Sequence, residues 1–466
     1  MRFQRPLFLL PVVAAVLAGC GGSTDAPPPR ATIVLAQLAG QATTAQIDAG
    51  TTATGLIGLT GAAVCNVDIR YVVYQTRDPA GQPATASTAA FVPSGTDASC
   101  TGSRPVVLYA HGTTIEKAYN MADIVNNSEG SLVAALLAAH GYIVVAPNYL
   151  GYDESGLDYH PYLNAENSAI DMVDGLRAAK AYLNEASAVK PSAQLFVTGY
   201  SQGGHVAMAT HKIIERDYAS EFTVTASAPM SGPHNLAKFI AQINSGPDVC
   251  PTLGSPDVNC TVNAGATLFT PLLLTSWQRS YGDVYSDAAS VYQAPYGAAT
   301  ATLLPTNSSV ETLLTTGKLP PDSTFRKLFG TGGLIQEAFR AAYFTDANSG
   351  FKKAAAANTL LGWTPKAPMA MCYSAADPTV YSYNTTDMQA DFASRGVLVP
   401  ALDVRGNTTA IAGSLGLAAA QVAGAFQVTY PATGTAVGTP GTESDHANAA
   451  PFCATFVRGF FSSLVQ

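Results

Sequence analysis

Gly199-Tyr200-Ser201-Gln202-Gly203 sets a serine between two glycines, directly after the apolar run Leu195-Phe196-Val197 and directly before a helical pattern. A strand that turns sharply into a helix at such a serine pushes its hydroxyl outward, and glycines keep Cβ atoms out of a turn where backbone crowds backbone. The helix N-terminus then faces any negative charge that develops beside the serine. The arrangement suits nucleophilic acyl transfer and makes Ser201 the candidate nucleophile. A bare G-x-S-x-G also arises by chance in Gly/Ser-rich chains, so its weight comes from the strand-turn-helix context.

A serine hydroxyl is a poor nucleophile at neutral pH and needs a histidine base, itself held in one tautomer by an acid. Downstream of position 366 the chain has a single histidine, His446 in Ser444-Asp445-His446-Ala447-Asn448, after a Gly/Pro/Thr-rich stretch and before a C-terminal helical pattern. It is the candidate base. Asp377 follows the apolar run 368–373 across Ser374-Ala375-Ala376 and precedes Pro378, so its carboxylate projects from a strand end and is the candidate acid. Asp387 is the runner-up, at the start of a helix-like segment where N-capping accounts for it. Asp445 adjoins His446 and is less suited, because consecutive side chains diverge. The tetrahedral intermediate of acyl transfer calls for two backbone donors. One is expected at Gln202, the other at Thr113 in His111-Gly112-Thr113-Thr114, with Thr114 as the alternative. His111 and His205 are read as structural or positioning residues.

These groups need a rigid frame. The stretch 66–92 alternates and is rich in Val, Ile, Thr and Tyr, with Asp78-Pro79-Ala80-Gly81 as a turn, which predicts an antiparallel hairpin. Short apolar runs at 105–110, 142–147, 195–198, 222–228 and 368–373 then alternate with helical patterns, the signature of a mostly parallel sheet flanked by helices. Met172, Leu176, Ala179 and Leu183 share one face of a helix expected over 164–186, and 131–140 and 203–216 read likewise. From Asn235 to Lys366 the alternation breaks, and this span is read as a mainly helical lid or cap inserted between two strands of an α/β fold.

The chain has 466 residues, 47% hydrophobic and 12% charged, with a net charge of -8. That composition predicts a large core. It disfavours nucleic acid as a partner, since no Lys/Arg cluster could neutralise a phosphate backbone. Arg2 and Arg5 precede an apolar run of about a dozen residues, too short for a membrane span and suited to a signal peptide over 1–19. Leu17-Ala18-Gly19-Cys20 resembles a bacterial lipobox, which implies a lipid on Cys20, a membrane anchor and a place in the cell envelope, at the outer membrane. The Gly/Ser/Pro-rich stretch that follows has a linker's composition, and 20–35 is read as that linker. The remaining cysteines, Cys65, Cys100, Cys250, Cys260, Cys372 and Cys453, are even in number, as expected for an oxidising compartment. Six cysteines allow 15 pairings. Position favours Cys65 with Cys100, Cys250 with Cys260, and Cys372 with Cys453. No spacing suggests a metal site.

Taken together, these residues resemble the secretory lipase group of α/β-hydrolases, the fungal lipase A-like enzymes and their bacterial relatives. The likeness is carried by CNVDIRYVVYQT (65–76), YAHGTT (109–114), APNYLGY (146–152) with His160-Pro161-Tyr162-Leu163, and GYSQGG (199–204). It covers roughly Cys65 to the C-terminus apart from the insertion, and divides the chain into core over 36–234 and 367–466 with the lid over 235–366. The resemblance implies lipase or carboxylesterase action on a small or lipid ester, with no metal or organic cofactor and a lid over an acyl pocket. The insertion has no motif that aligns, so acyl-length preference does not carry over. The acid loop also lacks the usual glycine before its aspartate. Tyr149, Tyr152 and Tyr162 are candidates for the pocket mouth, with core packing as the plainer reading. The same residues would serve a peptidase, a thioesterase or a polyester depolymerase, and an inactive surface-binding lipoprotein is the rival outside enzymes.

Overall fold

The sheet begins upstream of the expected hairpin. In the structure, a computed structural model that describes residues 27–245 and 262–466, Ile33–Ala42 forms strand β1, antiparallel to β2 (Asn66–Arg77). The linker expected over 20–35 therefore yields to a strand at Ile33. Strand β1 lies at the sheet edge with Val34, Leu35 and Leu38 exposed, so it lacks the apolar-in, polar-out alternation that would announce it. The expected signal peptide, Cys20 and the Cys250–Cys260 pair lie outside the described residues.

Strand β2 pairs with β3 (Pro83–Ser94) from Asn66↔Ser94 to Arg77↔Pro83, as an uninterrupted antiparallel ladder. Strands β4 (Ser103–Ala110), β5 (Ile143–Pro147), β6 (Lys190–Tyr200), β7 (Val224–Met230), β8 (Met371–Tyr373) and β9 (Ala401–Asp403) follow. Their order in the sheet is β1-β2-β3-β5-β4-β6-β7-β8-β9, with every pair from β5 to β9 parallel. This is an α/β-hydrolase fold.

The central strands are buried on both faces, which explains their unbroken apolar runs. In β4, Val106 and Leu108 join Met172, Leu176, Ala179 and Leu183 of helix Ala165–Ala186 and Val206 of helix Gln202–Asp217. Val107 and Tyr109 point the other way, into a cluster with Val133 of helix Ser128–Leu136 and Phe452 and Phe461 of helix Asp445–Ser462. Alternation along one strand thus builds two cores. Asn164 caps the long helix by accepting from the Asn167 N–H at 3.1 Å.

Between β7 and β8 the described part of the inserted segment carries helices Leu236–Asn244, Ala266–Tyr281, Val310–Thr315, Glu337–Thr345 and Gly350–Ala357. They pack around their own apolar cluster, with Trp277, Leu274, Leu313 and Leu334 fully buried. Two disulfides stand among the described residues. Cys65–Cys100 joins the start of β2 to the segment ahead of β4, and Cys372–Cys453 joins β8 to the C-terminal helix. No helix among the described residues is long and apolar enough to cross a membrane.

Candidate active site

Strand β6 ends at Tyr200 and helix Gln202–Asp217 begins one residue later, leaving Ser201 alone in the turn at φ 59° and ψ -122°. A non-glycine residue holds such a backbone only where its surroundings over-determine it. Here they do: the Ser201 N–H donates to Met230 O at 3.0 Å, and the carbonyl accepts from the Gly204 N–H at 2.9 Å. The flanking glycines are required by contact. A Cβ at Gly203 would stand 1.9 Å from Ala110 O, and one at Gly199 would stand 2.3 Å from the same atom. The turn is therefore pressed against the end of β4, where His111-Gly112-Thr113-Thr114 begins.

His446 lies in the first turn of helix Asp445–Ser462, and its Nε2 is 2.8 Å from Ser201 Oγ. Its Nδ1 is 2.6 Å from Asp377 Oδ2. The other oxygen, Oδ1, accepts from the N–H groups of Thr379 at 2.8 Å and Val380 at 2.9 Å, so a fixed turn orients this carboxylate. Asp377 is buried. A buried carboxylate on Nδ1 leaves the lone pair of Nε2 directed at the serine hydroxyl.

The two alternative acids are engaged elsewhere. Asp387 sits inside helix Tyr383–Ser394, and the expectation that it caps that helix is corrected: it binds Lys238 Nζ and Asn235 Nδ2, each at 2.8 Å, and so fastens the inserted segment to the core. Asp445 is fully buried and accepts from Arg405 Nη2 at 2.6 Å, Arg405 Nε at 2.9 Å and Ser374 Oγ at 2.7 Å. It anchors the start of the helix that carries His446.

Gln202 and Thr113 stand on the two sides of the turn, and among the described residues neither backbone N–H has a hydrogen-bond acceptor. The Thr113 loop is braced at each of its residues. Tyr149 OH donates to His111 O at 3.0 Å, Tyr152 OH donates to Thr114 O at 2.7 Å, and Tyr162 OH bonds Thr113 Oγ1 at 3.0 Å. The Gly112 N–H donates to Glu129 Oε1 at 3.0 Å, and Tyr109 OH donates to the same oxygen at 2.8 Å. Burial pushes the Glu129 carboxyl up from its ordinary range. It also lowers His111 to about 4, so that ring is neutral, stacked 4.0 Å from Tyr149. His205 is buried with Nε2 on Asn358 O at 2.9 Å. Tyr149 and Tyr152 pack against the loop and do not line the cavity, whereas Tyr162 does both.

Glu129 had no signal in the sequence, since a glutamate in the first turn of a helix is ordinary. Tyr200 was visible only as the free position of G-x-S-x-G.

A cavity opens at Ser201 and Gln202. Its walls are almost wholly apolar and include Leu236, Phe239, Ile240 and Leu273 of the inserted segment. Leu273 and Ile240 also border a second, mainly apolar space that reaches Phe339 and Phe351. A larger groove along β1 contains none of the candidate residues.

The model of the family described as secretory lipase matches residues 117–248. An engineered variant of the rice cell wall degrading esterase LipA from Xanthomonas oryzae is 30% identical, over 81% of this chain and 91% of that one, with a TM-score of 0.70. Another structure of the same esterase gives 27% identity over 93% of this chain and 98% of that one, with a TM-score of 0.75. Candida antarctica lipase A in its closed state is 13% identical over 80% of this chain and 76% of that one, with a TM-score of 0.53, a likeness of fold alone. No curated protein sequence matches.

Proposed function

The chain belongs to the secretory lipase family of α/β-hydrolases, and from that premise we propose that it hydrolyses carboxylic esters with Ser201 as nucleophile, His446 as base and Asp377 as acid. What carries the reading is the unbroken relay from Ser201 Oγ to His446 Nε2 at 2.8 Å and from His446 Nδ1 to Asp377 at 2.6 Å, at the mouth of an apolar cavity.

The steps follow from those contacts. His446 takes the hydroxyl proton as Ser201 Oγ bonds to the ester carbonyl carbon, and Asp377 stabilises the imidazolium. The carbonyl oxygen, now negative, is met by the N–H groups of Gln202 and Thr113, which have no partner to give up. Collapse breaks the bond to the alcohol oxygen, which leaves with the proton from His446, and the acyl group stays on Ser201. Water, deprotonated by His446, then attacks the acyl carbon; the bond to Ser201 Oγ breaks, His446 returns the proton to that oxygen, and the carboxylic acid departs. No step calls for a metal or organic cofactor.

The apolar walls favour a hydrocarbon acyl group over a peptide, whose amides would be desolvated there without partners. The inserted segment is the lid in this reading, since it supplies those walls. Secretion, with lipid on Cys20 holding the enzyme at the cell envelope, belongs to the same proposal and rests on the lipobox residues. Mass analysis of the mature N-terminus checks it, and an unmodified Cys20 removes it.

A fluorophosphonate probe tests the chemistry. It should label the folded wild type at Ser201, and Ser201→Ala should lose both labelling and hydrolysis of p-nitrophenyl esters. Hydrolysis that survives in Ser201→Ala, or a folded wild type that neither reacts nor hydrolyses, would overturn the proposal.

A further inference from the structure

We infer that His160–Leu163 is a clasp which positions both oxyanion donors and couples them to the seating of the inserted helix Ala266–Tyr281. The inference rests on the ester-hydrolase reading, and it assigns work to residues outside the Ser-His-Asp relay.

The clasp grips both donors by their side chains. His160 Nε2 is 2.6 Å from Gln202 Nε2, while His160 Nδ1 lies 2.8 Å from Leu150 O. A carbonyl oxygen only accepts, so Nδ1 carries the proton and Nε2 is the acceptor that receives the Gln202 amide. Burial lowers His160 to about 3, which keeps the ring neutral and that acceptor available. Two residues on, Tyr162 OH bonds Thr113 Oγ1 at 3.0 Å. Residues 89 positions apart in sequence are thus fixed by one short segment.

That segment is itself held from above. Ser276 Oγ donates to Tyr162 O at 2.9 Å and Trp277 Nε1 to Leu163 O at 3.4 Å, both from helix Ala266–Tyr281. Leu163 adopts φ 51°, a conformation that side chains other than glycine's seldom take and that needs outside support. The support comes from Trp277, which is fully buried in the core of the insertion. When this helix is seated, the carbonyls of Tyr162 and Leu163 are bonded and the clasp is set. A shift of the helix would break both bonds. Oxyanion donors work only within about 0.5 Å of the productive geometry, so a helix that walls the acyl cavity also governs the chemistry below it.

The test is a set of conservative variants in the full chain: Tyr162→Phe, Thr113→Val, the pair of them together, and Ser276→Ala. Steady-state kinetics on p-nitrophenyl butyrate are read beside the inhibition constant of an alkyl boronic acid, which forms the tetrahedral adduct on Ser201. Tyr162→Phe and Thr113→Val should each lower kcat about tenfold, the worth of one hydrogen bond in the transition state. KM should stay within about twofold. The double variant should lose no more than either single one, because both delete the same bond. Boronate affinity should fall in step with kcat/KM. Ser276→Ala should fall in the same direction by severalfold. A merely structural role would lower the melting temperature without this split. The clasp is overturned if Tyr162→Phe keeps kcat within twofold or if the losses multiply in the double variant. The coupling to the insertion is overturned if Ser276→Ala equals wild type. A wild type that neither hydrolyses the ester nor binds the boronate refutes the ester-hydrolase reading instead.

Discussion

Tyr200 OH donates to the backbone carbonyl of His446 at 2.5 Å, so the residue ahead of the proposed nucleophile holds the turn that carries the proposed base. The two residues come from elements far apart in sequence, β6 and the C-terminal helix, and this bond ties them independently of the Ser201–His446 contact. Burial raises the Tyr200 phenol well above its ordinary range, so it remains a donor at any working pH. Tyr200→Phe keeps the ring against His446 and removes only the bond. We expect kcat to fall about tenfold with KM nearly unchanged, the cost of a looser base. Steady-state kinetics decide it, and a variant with wild-type kcat would show that His446 is held by other contacts.

Asp377 and Asp387 have different tasks. Asp377→Asn should lower kcat by about 10⁴, because the amide favours the wrong histidine tautomer, while thermal unfolding stays close to wild type. Asp387→Asn weakens the hold on Lys238 and Asn235 at the surface and should leave kcat within about twofold. Kinetics and melting curves of the two variants, measured side by side, distinguish the assignments. The reverse pattern would move the acid to Asp387.

The fold was legible wherever burial on both sides left continuous apolar runs, as in Leu195-Phe196-Val197 and Ile143-Val144-Val145. It was illegible at β1, where an exposed edge imposes no alternation, and at β9, whose three residues Ala401–Asp403 are too short for any period. Among the site residues, Ser201, Asp377 and His446 could be named because their chemistry demands particular residue types in a known order. Their supports could not. Arg405 is an isolated arginine in the sequence, and only folding brings its guanidinium onto Asp445 at 2.6 Å. The expected capping role of Asp387 failed because a residue's place in a helix does not tell what packs beside it. The tyrosines of APNYLGY and HPYL read as pocket or core residues, and so they are, Tyr149 and Tyr152 in the core and Tyr162 at the cavity, but all three also brace the Thr113 loop. A hydroxyl's partner 38 residues away in sequence leaves no local trace.

Asp171 gives the stability of the fold a pH dependence with a definite sign. It is buried on helix Ala165–Ala186, where Oδ1 accepts from Tyr74 OH at 2.8 Å and Oδ2 from the Leu150 N–H at 3.0 Å. Burial, the largest influence, pushes its carboxyl up to about 7. An unfolded aspartate titrates near 3.9. Between those values the folded chain holds a proton that the unfolded chain has released, so this group's contribution is full below about pH 4 and is lost as pH rises through about 7. Asp171→Asn removes that slope. The melting temperature of the variant relative to wild type should therefore climb from pH 4.5 to pH 8, and parallel curves would show that Asp171 does not titrate as stated.

Leu273 stands at the boundary between the cavity that opens at Ser201 and the second apolar space reaching Phe351. If the first holds the acyl chain, this side chain decides where the chain must end. Leu273→Trp fills the far part of the cavity, and kcat/KM for octanoyl esters should fall tenfold or more while acetyl esters are hydrolysed as before. Losing room for two methylenes, each worth about 0.8 kcal/mol on burial, is enough for that effect. Leu273→Ala joins the two spaces and should shift the optimum towards longer acyl chains, at a cost of roughly 2–5 kcal/mol in stability that a melting curve will register. A p-nitrophenyl ester series from acetate to palmitate reads both variants. If their chain-length profiles match that of wild type, the acyl group lies elsewhere, and the apolar walls given by Leu236, Phe239 and Ile240 serve only to pack the inserted segment.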